Sequence, residues 1–244
     1  TEKGRGLDAA EKNPTKFHGC GPFDPESGLP LAPGSKCPSL TSVFGETLLE
    51  LAKKDNRIIG ITAAMPTGCG LDIVAKQLPD RVIDVGIAEE HAVTFAAGLA
   101  CDGIVPVVAI YSSFMQRAYD QMMHDVALQN LHVVFVLDRA GLVGSDGPTH
   151  HGAFDLSFLR TVPGMTVMAP SDENELRDMI TASINMEGPV AIRYPRGTAL
   201  AEELLPPAAT FDAKCPKVIE QGNDILLLGA GFMTNELKKT AKVL

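Results

Sequence analysis

No block of lysine and arginine stands out anywhere in this sequence. The balance runs the other way, with 21 Lys and Arg against 30 Asp and Glu and a formal net charge of −9. That argues against a surface built to neutralise nucleic-acid phosphates. No run of about 18 apolar residues occurs, so no stretch is suited to crossing a membrane as a helix. The opening TEKGRGLDAAEKNPTK is polar and lacks the apolar stretch of a secretory signal. The five cysteines, Cys20, Cys37, Cys69, Cys101 and Cys215, are scattered and include no C-x-x-C pair. Reduced thiols and a cytoplasmic setting follow as the expectation, or a plastid-type compartment if the source is eukaryotic. No Gly-Lys-Ser/Thr phosphate loop, internal repeat or low-complexity tract is present. The chain does not begin with Met, and the expectation is a piece of a longer protein.

What is present is ample apolar material: 45% of 244 residues. That is enough for one large domain, or one domain plus part of another. Residues 1–38 hold many Gly and Pro without sustained periodicity and read as a linker or arm. An amphipathic helix is predicted over 40–54, with Val43, Phe44, Leu48 and Leu51 on one face and Ser39 or Thr41 able to cap it. Strands are predicted at 58–62, 82–85, 105–111, 131–137, 165–168 and 190–194. Between them lie a glycine-bearing loop at 63–70, a short helix at 71–78, and helices starting near 89 and spanning 115–129. Another helix is expected to be capped by Ser171. Alternating strands and helices predict an α/β fold, a doubly wound, mainly parallel sheet with helices on both faces, over 39–200. Residues 201–217 read as a linker. A strand at 224–229 and a helix at 234–244 read as the start of a truncated C-terminal domain over 218–244.

The organising stretch is 82–101, VIDVGIAEEHAVTFAAGLAC. An apolar strand stops at Gly86, and Glu89, Glu90 and His91 precede an Ala-rich helical pattern. An acidic pair at this corner can simply favour the first turn of a helix. It can also do acid/base work, because a parallel sheet binds ligands at the carboxyl ends of its strands. Glu89, Phe114, Arg139, Asp146 and Arg196 all fall at or just after predicted strand ends. Together they offer an acid/base group, an aromatic face and two fixed cations, which suits an aromatic cofactor beside a phosphorylated substrate. Asp146, His150 and His151 also have donor types that bind metals, but no metal ligand is assigned.

VGIAEEHAVTFAAGLA resembles the glutamate motif in the pyrimidine-binding domain of the thiamine-diphosphate enzymes of the transketolase superfamily. The likeness continues through YSSFMQRAYDQMMHDVALQN, DRAGLVGSDGPTHHGAFDLSFLR, PSDENE and RYPRG. It covers roughly 17–200 and is strongest to the 1-deoxy-D-xylulose-5-phosphate synthase family. That family condenses pyruvate, with decarboxylation, and glyceraldehyde 3-phosphate. The resemblance makes Glu89 the carboxylate that hydrogen-bonds a ring nitrogen of the thiamine aminopyrimidine and favours its imino tautomer. It makes Phe114 the ring stacked on that heterocycle, with Met65 beside it. Asp146 and His150 become groups that handle substrate and protons. Arg139 and Arg196 become the phosphate clamp, with Tyr111, Arg117 and His18 as further substrate contacts. His151 departs from the residue expected at its position. The cofactors implied are thiamine diphosphate and Mg2+, whose ligands belong to a preceding Gly-Asp-Gly…Asn domain that has no counterpart here. The implied partners are pyruvate, glyceraldehyde 3-phosphate, that diphosphate-binding domain and a second copy in a homodimer, with no nucleic acid and no membrane. The chain alone is then expected to be inactive. Two other readings stand beside this one: the beta subunit of a 2-oxo-acid dehydrogenase, and a non-catalytic assembly partner. Arg196 in RYPRG and the arm over 17–28 favour the synthase.

Overall fold

A computed structural model describes residues 2, 4–19, 21–29, 31, 35–208, 210–213 and 215–244. Cys20 lies outside the described residues. Two compact units emerge, Thr1–Lys36 and Cys37–Leu244. The first has more local order than a plain arm: a short helix Asp8–Lys12, a 3-10 turn Lys16–His18, and Phe17 meeting Phe23 edge-on at 4.9 Å. His18 is exposed in this unit.

The second unit is built on six parallel strands: β1 (Ile58–Thr62), β2 (Val82–Asp84), β3 (Val105–Tyr111), β4 (Val134–Asp138), β5 (Thr166–Met168) and β6 (Val190–Arg193). Their order is β2-β1-β3-β4-β6-β5. The expected doubly wound α/β fold is therefore the observed one. Alternation along each strand feeds a core on either face. Val107, Ala109, Val134 and Val136 pack on one side, with the helices Leu40–Ala52, Leu71–Ala75 and Glu173–Ser183. Val108, Ile110, Phe135 and Leu137 pack on the other, with the helix Glu89–Cys101 and the segment 112–129. Burial on both faces explains why β3 and β4 read as nearly unbroken apolar runs. After β1 the chain moves outward to β2, then crosses back to place β3 on the other side of β1. The order reverses there, which is where open sheets of this type form a crevice.

The structure corrects four local expectations. The predicted helix at 115–129 is not one helix. It begins at Ser112 and passes through Ser112–Met115, a 3-10 turn Gln116–Ala118, Tyr119–Gln121, a π-helical turn Met122–Val126 and a 3-10 turn Ala127–Gln129. These changes of pitch keep Met115, Ala118, Met122 and Val126 all fully buried against the sheet. The predicted strand at 131–137 starts later and ends later, at Val134–Asp138, because Leu131–Val133 still belong to the turn that closes on Val126. The cap of Glu173–Ser183 is Asp172, not Ser171. Asp172 accepts from the backbone N–H groups of Asn174 and Glu175 at 3.0 and 2.8 Å, while the Ser171 N–H donates to Glu175 at 2.6 Å. Such a cap is worth about 1 kcal/mol. Ser39 does cap Leu40–Ala52, accepting from Ser42 N–H at 3.0 Å. Finally, 224–229 forms no strand: it pairs with nothing among the described residues, and Leu226 and Leu228 are each 80% exposed. The helix after it is Met233–Ala241, tied back by Asn235 Nδ2 donating to the Ser171 carbonyl at 2.7 Å.

Residues 201–217 carry no helix or strand where described, yet the part up to Ala208 is tied down. Glu173, buried at the start of its helix, accepts from the N–H groups of Leu200 and Ala201. Asn174 and Asp178 accept from those of Leu205 and Ala208. This ladder lays residues 200–208 along Glu173–Ser183.

Candidate active site

Every loop that leaves the carboxyl ends of β1, β2, β3, β4 and β6 contributes to one constellation. After β1, Ala64 adopts a left-handed backbone (φ +62°), a strained state for a residue with a Cβ. Asp84 at the end of β2 holds it, accepting from Ala64 N–H at 2.7 Å and Gly86 N–H at 3.0 Å. One carboxylate thus fixes both the loop that delivers Met65 and the approach to Glu89. Met65 reaches β3, where its Sδ accepts from the Tyr111 N–H at 3.4 Å.

Gly68 in the same loop is required by space. A Cβ there would lie 1.9 Å from the Tyr111 hydroxyl oxygen. Gly68→Ala is expected to destabilise the unit by about 1–3 kcal/mol, the usual cost of overpacking, as read by denaturant unfolding. Adding Tyr111→Phe removes the hydroxyl that the new methyl meets and should restore part of the loss. An unchanged midpoint in the double variant would place the clash elsewhere.

Glu89 opens the helix Glu89–Cys101 and is 2% exposed. Its Oε1 accepts from Arg117 Nη1 at 2.8 Å. The Arg117 guanidinium lies 5.1 Å from the Phe114 ring centre. Phe114 in turn neighbours Tyr111 at 5.6 Å and His150 at 5.2 Å, and His150 is 6.1 Å from Tyr111. Arg139 also lies over Tyr111, its guanidinium 4.0 Å from the ring centre. Arg139 has φ +61° and donates from Nη1 to the Gly68 carbonyl at 2.7 Å. Asp146 joins the two predicted clamp arginines, 3.6 Å from Arg139 Nε and 2.8 Å from Arg196 Nη1. Arg196 also donates to Ser145 Oγ. The loop carrying Asp146 and His150 is closed at its base, where Gly141 and Gly152 exchange hydrogen bonds at 2.9 and 2.8 Å.

Burial shapes the electrostatics. Tyr111 is pushed up to about 12 by burial, against the pull of the neighbouring Arg139 charge. Burial raises the Asp138 carboxyl, although Arg139 and the Thr41 hydroxyl oppose it. Burial alone would lower Arg139, but its acidic neighbours, Asp138 first among them, more than offset this and leave it raised.

The sequence-predicted residues Glu89, Met65, Tyr111, Phe114, Arg117, Arg139, Asp146, His150 and Arg196 therefore form one connected group. His18 lies in the other unit. Two neighbours are turned away from the group: Arg193 pairs with Asp155 at 2.8 Å, and His151 Nδ1 accepts from Val143 N–H at 3.1 Å. Among the described residues no group of three His, Cys, Asp or Glu side chains is placed to hold a metal ion. Sequence reasoning missed Asp138, Thr41, Gly68 and Asp155. An acidic residue closing the apolar run VVFVLD was a usable sign of Asp138. Thr41, 97 residues away in sequence, gave no local sign.

What the residues present can hold is an aminopyrimidine. A buried carboxylate offers an acceptor to a ring nitrogen, and Phe114 and Met65 offer a stacking face and a soft apolar edge.

Comparison with known proteins agrees with this geometry. The family model described as "Transketolase, pyrimidine binding domain" matches residues 36–200. The 1-deoxy-D-xylulose-5-phosphate synthase of Chlorobaculum tepidum is 55% identical, covering 100% of this chain and 39% of its own. Synthase 1 of Geobacter sulfurreducens is 51% identical, covering 100% of this chain and 38% of its own. The chain thus spans about two-fifths of the length of these curated relatives. A solved structure described as "Split gene transketolase, inactive beta4 tetramer" superposes with TM-score 0.72 at 27% identity, over 85% of this chain and 67% of that one. The transketolase of Campylobacter jejuni shares the fold, with TM-score 0.58 at 24% identity, over 65% of this chain and 26% of its own. With a match over 36–200 and an all-parallel sheet whose strand ends gather the motif residues, the chain belongs to the transketolase pyrimidine-binding domain family.

Proposed function

We propose that this chain supplies the pyrimidine side of a thiamine-diphosphate site in a 1-deoxy-D-xylulose-5-phosphate synthase. Its reaction joins pyruvate, with loss of carbon dioxide, to glyceraldehyde 3-phosphate, the first step of non-mevalonate isoprenoid precursor synthesis. The observation that carries the reading is the single constellation running from buried Glu89 through Arg117, Phe114 and Tyr111 to the Arg139–Asp146–Arg196 group. The relatives' names supply the chemistry it serves.

Bound thiamine diphosphate would supply the carbon nucleophile. The residues of this chain bind, aim and move protons. Glu89 would hold a protonated ring nitrogen of the aminopyrimidine by accepting from it through its carboxylate, which Arg117 already orients. Phe114 would stack on that ring, with Met65 beside it. Arg139 and Arg196 take the phosphate of the acceptor, whose oxygens compete with the Asp146 carboxylate for the same guanidinium groups. His150, which lies against Tyr111 and Phe114, moves a proton at the imidazole in this reading, and Asp146, Tyr111 and Arg117 complete the substrate side. His18 stays in this reading as a substrate contact through the likeness of its segment alone. The diphosphate and Mg2+ are assigned to a preceding domain of the longer relatives, residues 218–244 to the start of a following one, and the assembly to a homodimer.

The test uses the complete protein that contains this chain, loaded with thiamine diphosphate and Mg2+. Carbon dioxide release from pyruvate should depend on added glyceraldehyde 3-phosphate, and the 244-residue chain alone should show no turnover. Release that ignores the phosphorylated acceptor but proceeds with a lipoyl acceptor would favour a 2-oxo-acid dehydrogenase instead.

A further inference from the structure

Behind Arg139 lies a layer of buried polar side chains. Asp138 ends β4 at 0% exposure, in a strand otherwise composed of Val134, Phe135, Val136 and Leu137. A charge sealed into such a place persists only with close partners. One oxygen lies 3.0 Å from Arg139 Nη1. The other accepts from Thr41 Oγ1 at 2.6 Å, a hydroxyl delivered by the first turn of Leu40–Ala52. Fully buried Tyr194, just past β6, lies close enough to feel the Asp138 charge.

Arg139 is held on one nitrogen and open on another. Nη1 donates to the Gly68 carbonyl and is held against Asp138 Oδ1 at 3.0 Å by charge, that oxygen having no hydrogen-bond partner of its own. Nε is buried without a hydrogen-bond partner and points toward Asp146 across 3.6 Å. The two acidic neighbours therefore play different parts. Asp146 is a quarter exposed and divided between two arginines, so an arriving anion can displace it. Asp138 is sealed and stays. A left-handed backbone at Arg139 (φ +61°) needs such a fixed anchor, because few side chains tolerate it.

We propose that Asp138, seated by Thr41, is the positioning residue that aims the open edge of Arg139 at the acceptor's phosphate, and so sets the preference for a phosphorylated acceptor without touching it. This rests on the function proposed above. Asp138→Asn keeps the size and an acceptor oxygen for Thr41 but removes the charge that grips Nη1.

In the complete enzyme, Asp138→Asn should raise KM for glyceraldehyde 3-phosphate by about 10-fold or more, since a charge-assisted bond to the phosphate loses its alignment. The preference for glyceraldehyde 3-phosphate over glyceraldehyde should fall in step, while KM for pyruvate and kcat at saturation hold. Thr41→Val should move the same ratio less, and Thr41→Ser should restore it. A purely structural role would lower the melting temperature and the active fraction and leave the ratio intact; that outcome overturns the inference. If Asp138→Asn fails to fold, the Thr41→Val and Thr41→Ser pair decides the matter by the same ratio. A wild-type enzyme that ignores glyceraldehyde 3-phosphate would remove the functional reading and this inference together. A wild-type preference that survives in the variants removes this inference alone.

Discussion

Glu89→Gln in the complete enzyme is expected to lower turnover by about 10²- to 10⁴-fold, the range that a positioned acid–base group contributes. Glu90→Gln should be far milder. The two residues are neighbours in sequence but not in environment: Glu89 is buried and Glu90 exposed. Gln keeps the shape of Glu89 and can still accept one hydrogen bond, but it cannot hold the negative charge that draws a proton onto the aminopyrimidine nitrogen. The fold should survive, because Arg117 is half exposed and returns to water when its partner is neutral. The measurement is single-turnover release of carbon dioxide from pyruvate, beside circular dichroism of each variant. Equal losses at both positions would show that the choice between the neighbours is wrong.

The second large effect is expected at the clamp. Arg196→Ala should weaken use of glyceraldehyde 3-phosphate by about 10- to 100-fold, since each charge-assisted hydrogen bond is worth about 1.5–3 kcal/mol and 1.4 kcal/mol is tenfold. The geometry places the loss toward the upper part of that range. Asp146 is now divided between Arg196 and Arg139, and without Arg196 it would fall wholly to Arg139 and compete harder with the phosphate. Pyruvate carries no phosphate, and its KM should change little. Lys at 196 should rescue only partly, because it is a point charge without the planar fork. The decisive comparison is apparent affinity for phosphorylated and unphosphorylated glyceraldehyde. If the variant keeps the wild-type preference, Arg196 is outside the clamp.

The fold was legible wherever period and burial agree. β1 and β3 were read to the residue, because Ile58–Thr62 and Val105–Tyr111 are apolar runs buried on both faces and closed by turn residues. The site was legible for a related reason: a parallel sheet sends every strand's carboxyl end to one edge, so residues just past those ends converge whatever their sequence separation. What stayed hidden was tertiary. Changes of pitch within 112–129 follow from which side chains the sheet below can seat, not from helix propensity. The displacement of the cap from Ser171 to Asp172 turned on Glu175 binding back to the Ser171 N–H. The run at 224–229 has the composition of a strand, but a strand needs a partner edge, and composition does not supply one. Asp138 is fully buried at the end of β4, although an acid is rarely sealed inside a sheet. Its two partners, Thr41 and Arg139, are what keep it there.

The exchange of hydrogen bonds between Gly141 and Gly152 has an evolutionary reading. It makes the stretch between them a detachable cassette whose entrance and exit touch, while the Ala140 N–H bonded to the Tyr194 carbonyl anchors the chain just before it. No strand is threaded through the cassette, and Val143 is its one buried apolar side chain among the described residues. Its length can therefore drift cheaply, since each doubling of a loop costs only about 0.6 kcal/mol in closure entropy. Asp146 and His150 ride on it, whereas Glu89, Phe114 and Met65 are mounted elsewhere on the sheet. A lineage can thus vary Asp146 and His150 by swapping this one insert, while Arg139 and Arg196, which Asp146 pairs with, stay mounted outside it.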